Sequence, residues 1–296
     1  MKMFNTIGAA LLCLGSGFPA QGQTNAVHYH GKIIDMHVHM AVKKEEYNSM
    51  NAERNHSLND ILGTMSADHI SRSAIITMAQ QGNMPDTRER NDSVIAMCKR
   101  YPSLIPICSV HPMDGDAAFA EMERVQKQGV RIIKLHPNTQ RFDVGAPEVA
   151  AVAQKAGELH MILLFDSYSP TDNNEIGKLI MLAAMHQDAR FIFAHMGLVN
   201  FPQLLTIEAL KKYPWYKHNI FMDVSAIAPI LGNSPWHDQL VWTMRKIGIG
   251  QFLFGSDFPL FDPGEAIESV RGMGFTEKEE AALFYGNASR LLELKP

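Results

Sequence analysis

The chain has 296 residues, 46% of them hydrophobic and 20% charged, which is enough apolar mass for a large core, fits one large α/β domain or two smaller ones, and argues against disorder. Its 27 basic and 31 acidic residues leave a formal charge of −4, which offers no general attraction for nucleic acid or an anionic membrane surface, so a small-molecule substrate is the expected partner. Cys13, Cys98 and Cys108 form no CxxC pair and are too few for a disulfide framework, and the 18 methionines form no repeated copper-binding motif; both read as apolar filling.

Residues 1–22 read as an export signal. Lys2 supplies a positive start, residues 7–14 a short apolar run, and Ala20, Gln21 and Gly22 a small-residue site for cleavage before Gln23. Gly15, Gly17 and Pro19 interrupt the run, which argues against a buried helix, and the run is too short to span a bilayer. Cys13 lacks the small preceding residue that lipoprotein processing requires. The expectation is a periplasmic or secreted protein whose folded domain occupies residues 30–296.

That domain opens on Lys32 to Met40, KIIDMHVHM. In an extended chain Ile33, Asp35, His37 and His39 alternate with Ile34, Met36 and Val38, so both histidines project from one face at the carboxyl end, where two neutral imidazoles can meet one divalent ion. Taken alone, the pair also fits two satisfied polar residues at a strand end. Helix and strand then alternate. Helical patterns cover 55–70, 87–101, 116–128, 148–160, 174–187, 201–212 and 235–246, and the intervening strands read SAIITM, LIPICSVH, VRIIKLH, MILLFDS, FIFAH, IFMDVS and FLFGSD. Most of these are continuous apolar runs, as in strands covered on both faces, and eight such units predict a single-domain α/β protein with a (β/α)8 TIM barrel; an open doubly wound sheet is the alternative. Residues 277–294, capped by Thr276 with Glu279 in the reciprocal position, add a C-terminal helix whose Leu283, Phe284, Leu291 and Leu292 are expected to pack on the outside of the barrel.

The polar residues are not scattered among these strands. His37, His39, His111, Lys134, His136, Asp166, His195, Ser225 and Asp257 fall at or near carboxyl ends, the face on which such barrels build active sites, whereas the amino ends carry little beyond Arg131 and Arg190. A ring of ionisable groups buried without a metal or substrate would leave unpaired charge in a low dielectric. Ile132, Lys134 and His136 share a face, which directs Lys134 into the barrel, and Arg141 follows where a guanidinium could bind a substrate carboxylate; an ordinary loop charge is the plainer reading of Arg141.

The DMHVHM opening, AHMG after the sixth strand, FGSDFP after the eighth and the terminal FYGNASRLLEL together resemble the amidohydrolase superfamily. The likeness is to the amidohydrolase-related branch that includes aminocarboxymuconate semialdehyde decarboxylase and several lactonases, and it spans roughly residues 32–295. It implies that His37 and His39 bind a divalent metal, zinc or alternatively manganese, and that Asp257 both touches the metal and handles the proton of its water. It gives His195 a catalytic role in single-metal members and a ligand role in two-metal members. Where the family has a fifth-strand histidine ligand this chain has Asp166, which could serve as a carboxylate ligand or abolish the site. A fourth-strand lysine is a carboxylated bridge in two-metal relatives; Lys134 reads better as a buried cation, with His136 and Arg141 facing the substrate. The leading expectation is a metal-dependent hydrolase acting on an ester, lactone or amide with metal-activated water as nucleophile. A non-oxidative decarboxylase is the alternative, and a binding protein on the same barrel a third. A homo-oligomer is left open.

Overall fold

The computed structural model describes residues 27–40 and 57–294; the expected export signal lies outside the described residues. Among the described residues eight strands form one parallel sheet in sequence order: β1 Ile33–His39, β2 Ile70–Ile76, β3 Leu104–Ser109, β4 Ile132–Leu135, β5 Ile162–Asp166, β6 Arg190–Ala194, β7 Ile220–Asp223 and β8 Phe252–Leu253. The sheet closes on itself. Met36 N–H donates to Phe254 O at 3.0 Å and His39 N–H to Phe258 O at 2.7 Å, which joins β1 to the chain leaving β8. The expected TIM barrel is therefore the fold. No helix among the described residues is long and apolar enough to cross a membrane.

The helices are α1 Leu58–Ala67, α2 Met84–Arg100, α3 Asp116–Lys127, α4 Pro137–Gln140, α5 Pro147–Glu158, α6 Glu175–Met185, α7 Thr206–Leu210, α8 Ile227–Leu231, α9 His237–Ile247, α10 Pro263–Arg271, α11 Glu277–Ala281 and α12 Asn287–Leu291. The short α4 and α8 lie in loops at the carboxyl ends of strands and carry too few residues for a readable apolar period; the nine-residue α10 buries Pro263, Ala266, Ile267 and Val270 on one face. Helix α2 starts earlier than its pattern predicts because the Asn83 side chain accepts from Asp86 N–H and Pro85 suits the first turn. The helix expected over 201–212 divides between the end of a 3-10 segment, His195–Leu205, in which Met196, Gly197 and Leu198 have left-handed φ and Pro202 lacks an N–H, and the five-residue α7 that follows it.

Two hydrophobic clusters define the layers. Ile33, Val38, Ile75, Cys108, Ile133, Leu163 and Phe191 face the helices, while Ile34, Met36, Ala74, Ile76, Ile107, Ile132, Ile162, Leu164 and Ile192 fill the barrel interior. The thiols of Cys98 and Cys108 are buried and free, as apolar filling requires. Ala288, Leu291 and Leu292 join the interior cluster, so the C-terminal segment closes the barrel floor rather than packing only on its outside. The two arginines at the strands' amino ends hold it there: Arg131 donates to Leu292 O at 2.8 Å, Arg190 to Leu291 O at 3.2 Å, and both reach Glu293. The expected capping box between Thr276 and Glu279 forms, but the helix contains a π turn at Ala282–Gly286 between α11 and α12.

Candidate active site

Simple alternation does not hold along β1. Between Asp35 and Val38 three steps on β1 span only two on β2, from Ser73 to Ile75, so the strand bulges by one residue. Ile34 and Met36 consequently point into the lower core, His37 and His39 point into the mouth, and Ile33 faces the helices, not the histidines' side. Asp35 also leaves that face. Its carboxylate accepts from His37 N–H at 3.1 Å, Ser256 N–H at 2.9 Å and the Ser256 hydroxyl at 2.6 Å, which ties the bulge to the loop after β8.

That loop brings Asp257 to the histidines. A Cβ at Gly255 would lie 2.9 Å from His37 Cβ and 3.2 Å from Ser225 Cβ, so only glycine lets the backbone pass this close. Asp257 itself has a left-handed φ of 63° and its N–H donates to His37 O at 2.9 Å. Strained backbone of this kind persists where surrounding contacts over-determine it, commonly at active sites. The result is a compact donor set: His37 Nε2 and His39 Nε2 are 3.2 Å apart, and Asp257 Oδ1 lies 3.6 Å from the first and 3.3 Å from the second. Donors bound about 2.0–2.1 Å from a tetrahedral zinc stand roughly 3.3 Å apart. Two imidazoles and a carboxylate at that spacing fit a divalent ion. His39 is the partly exposed member and marks the open side.

Asp223, at the end of β7, is a central residue of the site that the strand-end pattern did not single out. Its Oδ2 lies 2.9 Å from His37 Nδ1, and its Oδ1 accepts from His195 N–H at 3.0 Å, Ser225 N–H at 3.1 Å and the Ser225 hydroxyl. His37, His195 and Asp223 could also group around an ion, but their facing atoms already engage one another and Ser225. The one available signal was a carboxylate inside the apolar run IFMDVS.

His195 has φ of 60° and directs Nε2 at Asp166 Oδ2, 3.3 Å away, while His136 Nε2 lies 3.4 Å from the same oxygen. Asp166 thus bridges two histidines across the mouth and stands outside the His37, His39 and Asp257 group. Lys134 is fully buried below them, and its Nζ has no hydrogen-bond partner among the described residues. Arg141 lies apart from the ring: it ends α4 with a left-handed φ of 59° and lines a cavity of about 290 Å³ with Asn138, Ser169 and Glu175. His111 is structural, its ring lying 2.7 Å from Gln140 O and accepting from Met113 N–H.

The electrostatics divide the ring. Burial, with the Lys134 charge beside it, pushes His37 down to about 4, and burial does the same to His136. For His195 burial opposes the charge, but Asp257, Asp166 and Asp223 outweigh it and raise the imidazole to about 9. Burial likewise opposes ionisation of Asp257, yet His195, His39 and His37 hold it down to about 2, and His136, His195 and Lys134 keep Asp166 well below the usual carboxylate range. Burial lowers Lys134 against the pull of the three aspartates. Near neutral pH these shifts leave His37 neutral, His195 charged and Asp257 ionised.

The family model described as amidohydrolase matches residues 34–294. No curated protein matches the chain in sequence. Among solved structures, the chain is similar to 2,6-dihydroxybenzoate decarboxylase from Rhizobium, at 16% identity and a TM-score of 0.70, covering 89% of this chain and 99% of that one. It is similar to the 2-pyrone-4,6-dicarboxylic acid hydrolase proposed for a Pseudomonas putida protein, at 17% identity and a TM-score of 0.66, covering 89% and 98%. A dihydroxybenzoic acid decarboxylase from Polaromonas sp. JS666, solved with bound manganese and an inhibitor, aligns at 14% identity and a TM-score of 0.69, covering 89% and 97%. At these identities the likeness establishes the shared fold.

Proposed function

The chain belongs to the amidohydrolase family, and we propose on that premise that it is a metal-dependent hydrolase of an ester, lactone or amide of a small organic molecule. The observation that carries this reading is the spacing of His37 Nε2, His39 Nε2 and Asp257 Oδ1, which matches the donors of one tetrahedral ion. Zinc suits the two imidazoles, and manganese is the alternative. When bound, such an ion supplies Lewis acidity toward the carbonyl and lowers the pKa of water.

The residues divide the remaining work. Asp257, ionised beside the two histidines, takes a proton from the attacking water as its oxygen adds to the carbonyl carbon. His195, whose ring centroid lies 4.9 Å from that of His37, holds a proton on Nε2. It hydrogen-bonds the carbonyl oxygen as negative charge develops, and gives the proton to the leaving oxygen or nitrogen when the tetrahedral centre collapses. Asp166 keeps that imidazole charged and oriented, and enters this reading as the partner of His195 rather than as a fourth donor. Lys134 offsets the three carboxylates from below, and His136, paired with Asp166, faces the substrate; Arg141, which lines the neighbouring cavity, has no part in this step.

The test is a panel of lactones, esters and N-acyl compounds with the zinc- or manganese-loaded enzyme in water enriched in oxygen-18. Hydrolysis places one labelled oxygen in the product acid; turnover without label would reject it. A second reading, non-oxidative decarboxylation, is favoured by the two decarboxylases of the same fold and by a charged His195 that could protonate carbon. Carbon dioxide released from carboxylated substrates would select it.

A further inference from the structure

We propose that Asp223 is the positioning residue of this site: it fixes the ring tautomer of His37 and, through Ser225, that of His195. What the two rings then do rests on the hydrolase reading above; which nitrogens carry their protons does not.

The argument follows from donors and acceptors. The Ser225 hydroxyl has one proton, and it donates that proton to Asp223 Oδ1. Its lone pairs are left to face His195 Nδ1 at 2.9 Å, and the Ser225 carbonyl oxygen lies 3.1 Å from the same nitrogen. Both neighbours of His195 Nδ1 are therefore acceptors, so the proton sits on Nδ1, and the proton that comes and goes is the one on Nε2, facing Asp166. His37 follows the same logic. Its Nδ1 lies 2.9 Å from Asp223 Oδ2 and 3.3 Å from the Ser225 oxygen, so Nδ1 donates and Nε2 presents a bare lone pair to His39 Nε2 and Asp257 Oδ1. Asp223 Oδ1 meanwhile accepts the backbone N–H of His195, which is held in a left-handed conformation. One carboxylate thus orients the ligand on β1 and the acid after β6. Outer partners of this type typically contribute 10- to 100-fold to metal affinity.

The decisive variant is Asp223→Asn. Its oxygen can still serve the two backbone N–H groups, which turns the amide NH2 toward His37 Nδ1 and drives the His37 proton to Nε2. The readouts are long-range proton–nitrogen-15 spectra of the metal-free protein, which report each tautomer, and zinc affinity by competition with a chromophoric chelator. The expected result is Nδ1–H on both rings in the parent, Nε2–H on His37 in Asp223→Asn, and about 10- to 100-fold weaker zinc binding in that variant. A parent carrying Nε2–H on His37, or a folded Asp223→Asn with parental zinc affinity, overturns the proposal. The parent spectrum decides even if the variant does not fold. A parent that binds neither zinc nor manganese would remove the hydrolase reading, while the tautomers would still decide the role of Asp223.

Discussion

His195 Nε2 lies 3.3 Å from Asp166 Oδ2, with both side chains almost completely buried. The pair sits where the family resemblance leads to a metal ligand, and Asp166 joins Asp257 and Asp223 in raising the imidazole to about 9 although burial opposes it. A group whose folded value exceeds its ordinary value of about 6.5 stabilises fully below 6.5 and loses that contribution as pH rises through 9. The metal-free protein should therefore lose on the order of 3 kcal/mol across that window. Asp166→Asn should flatten the loss, and thermal melts from pH 6 to 10 would show it; superimposable profiles would remove the coupling.

Asp257→Asn tests the base. The amide keeps the size and one oxygen for the metal but cannot accept a proton, so turnover should fall about 10²- to 10⁴-fold. Circular dichroism and melting temperature should stay close to the parent. Activity within a few-fold of the parent on any turned-over substrate would rule out Asp257 as the proton acceptor.

His37→Ala should abolish stoichiometric metal while the barrel remains folded, because the residue sits at a loop-facing strand end. Chelation should lower the melting temperature of the parent, since an ion bound only to the native state stabilises it by mass action. The same chelator should leave the variant unmoved. Equal metal content in the two proteins, measured by elemental analysis, would contradict the placement.

Leu291→Ala examines the barrel floor. The side chain is buried in the interior cluster, and large-to-small changes there cost about 2–5 kcal/mol. Denaturant unfolding should register that loss. The floor lies at the opposite end of the barrel from His37 and Asp257, so turnover per folded molecule should be unchanged; a parallel loss of turnover would mean that the floor and the mouth are coupled.

The architecture was legible in the sequence because its signals are local and repeated: doubly buried strands are continuous apolar runs, and eight of them alternate with helical patterns. The clustering of His37, His39, His195 and Asp257 was legible for a related reason, since each marks a strand's carboxyl end and a parallel barrel places all such ends on one face. The tertiary structure alone decided which of these groups face each other. The bulge that separates Asp35 from His37 depends on pairing with β2 and on Ser256, 221 residues away, neither of which a period-two reading contains. Asp223 read as one polar residue in an apolar strand until closure of the barrel set it against His37, and the Asp166 pairing with His136 and His195 joins three separate strand ends. Periodicity assigns a residue to a face; which atom donates to which is a property of the closed barrel.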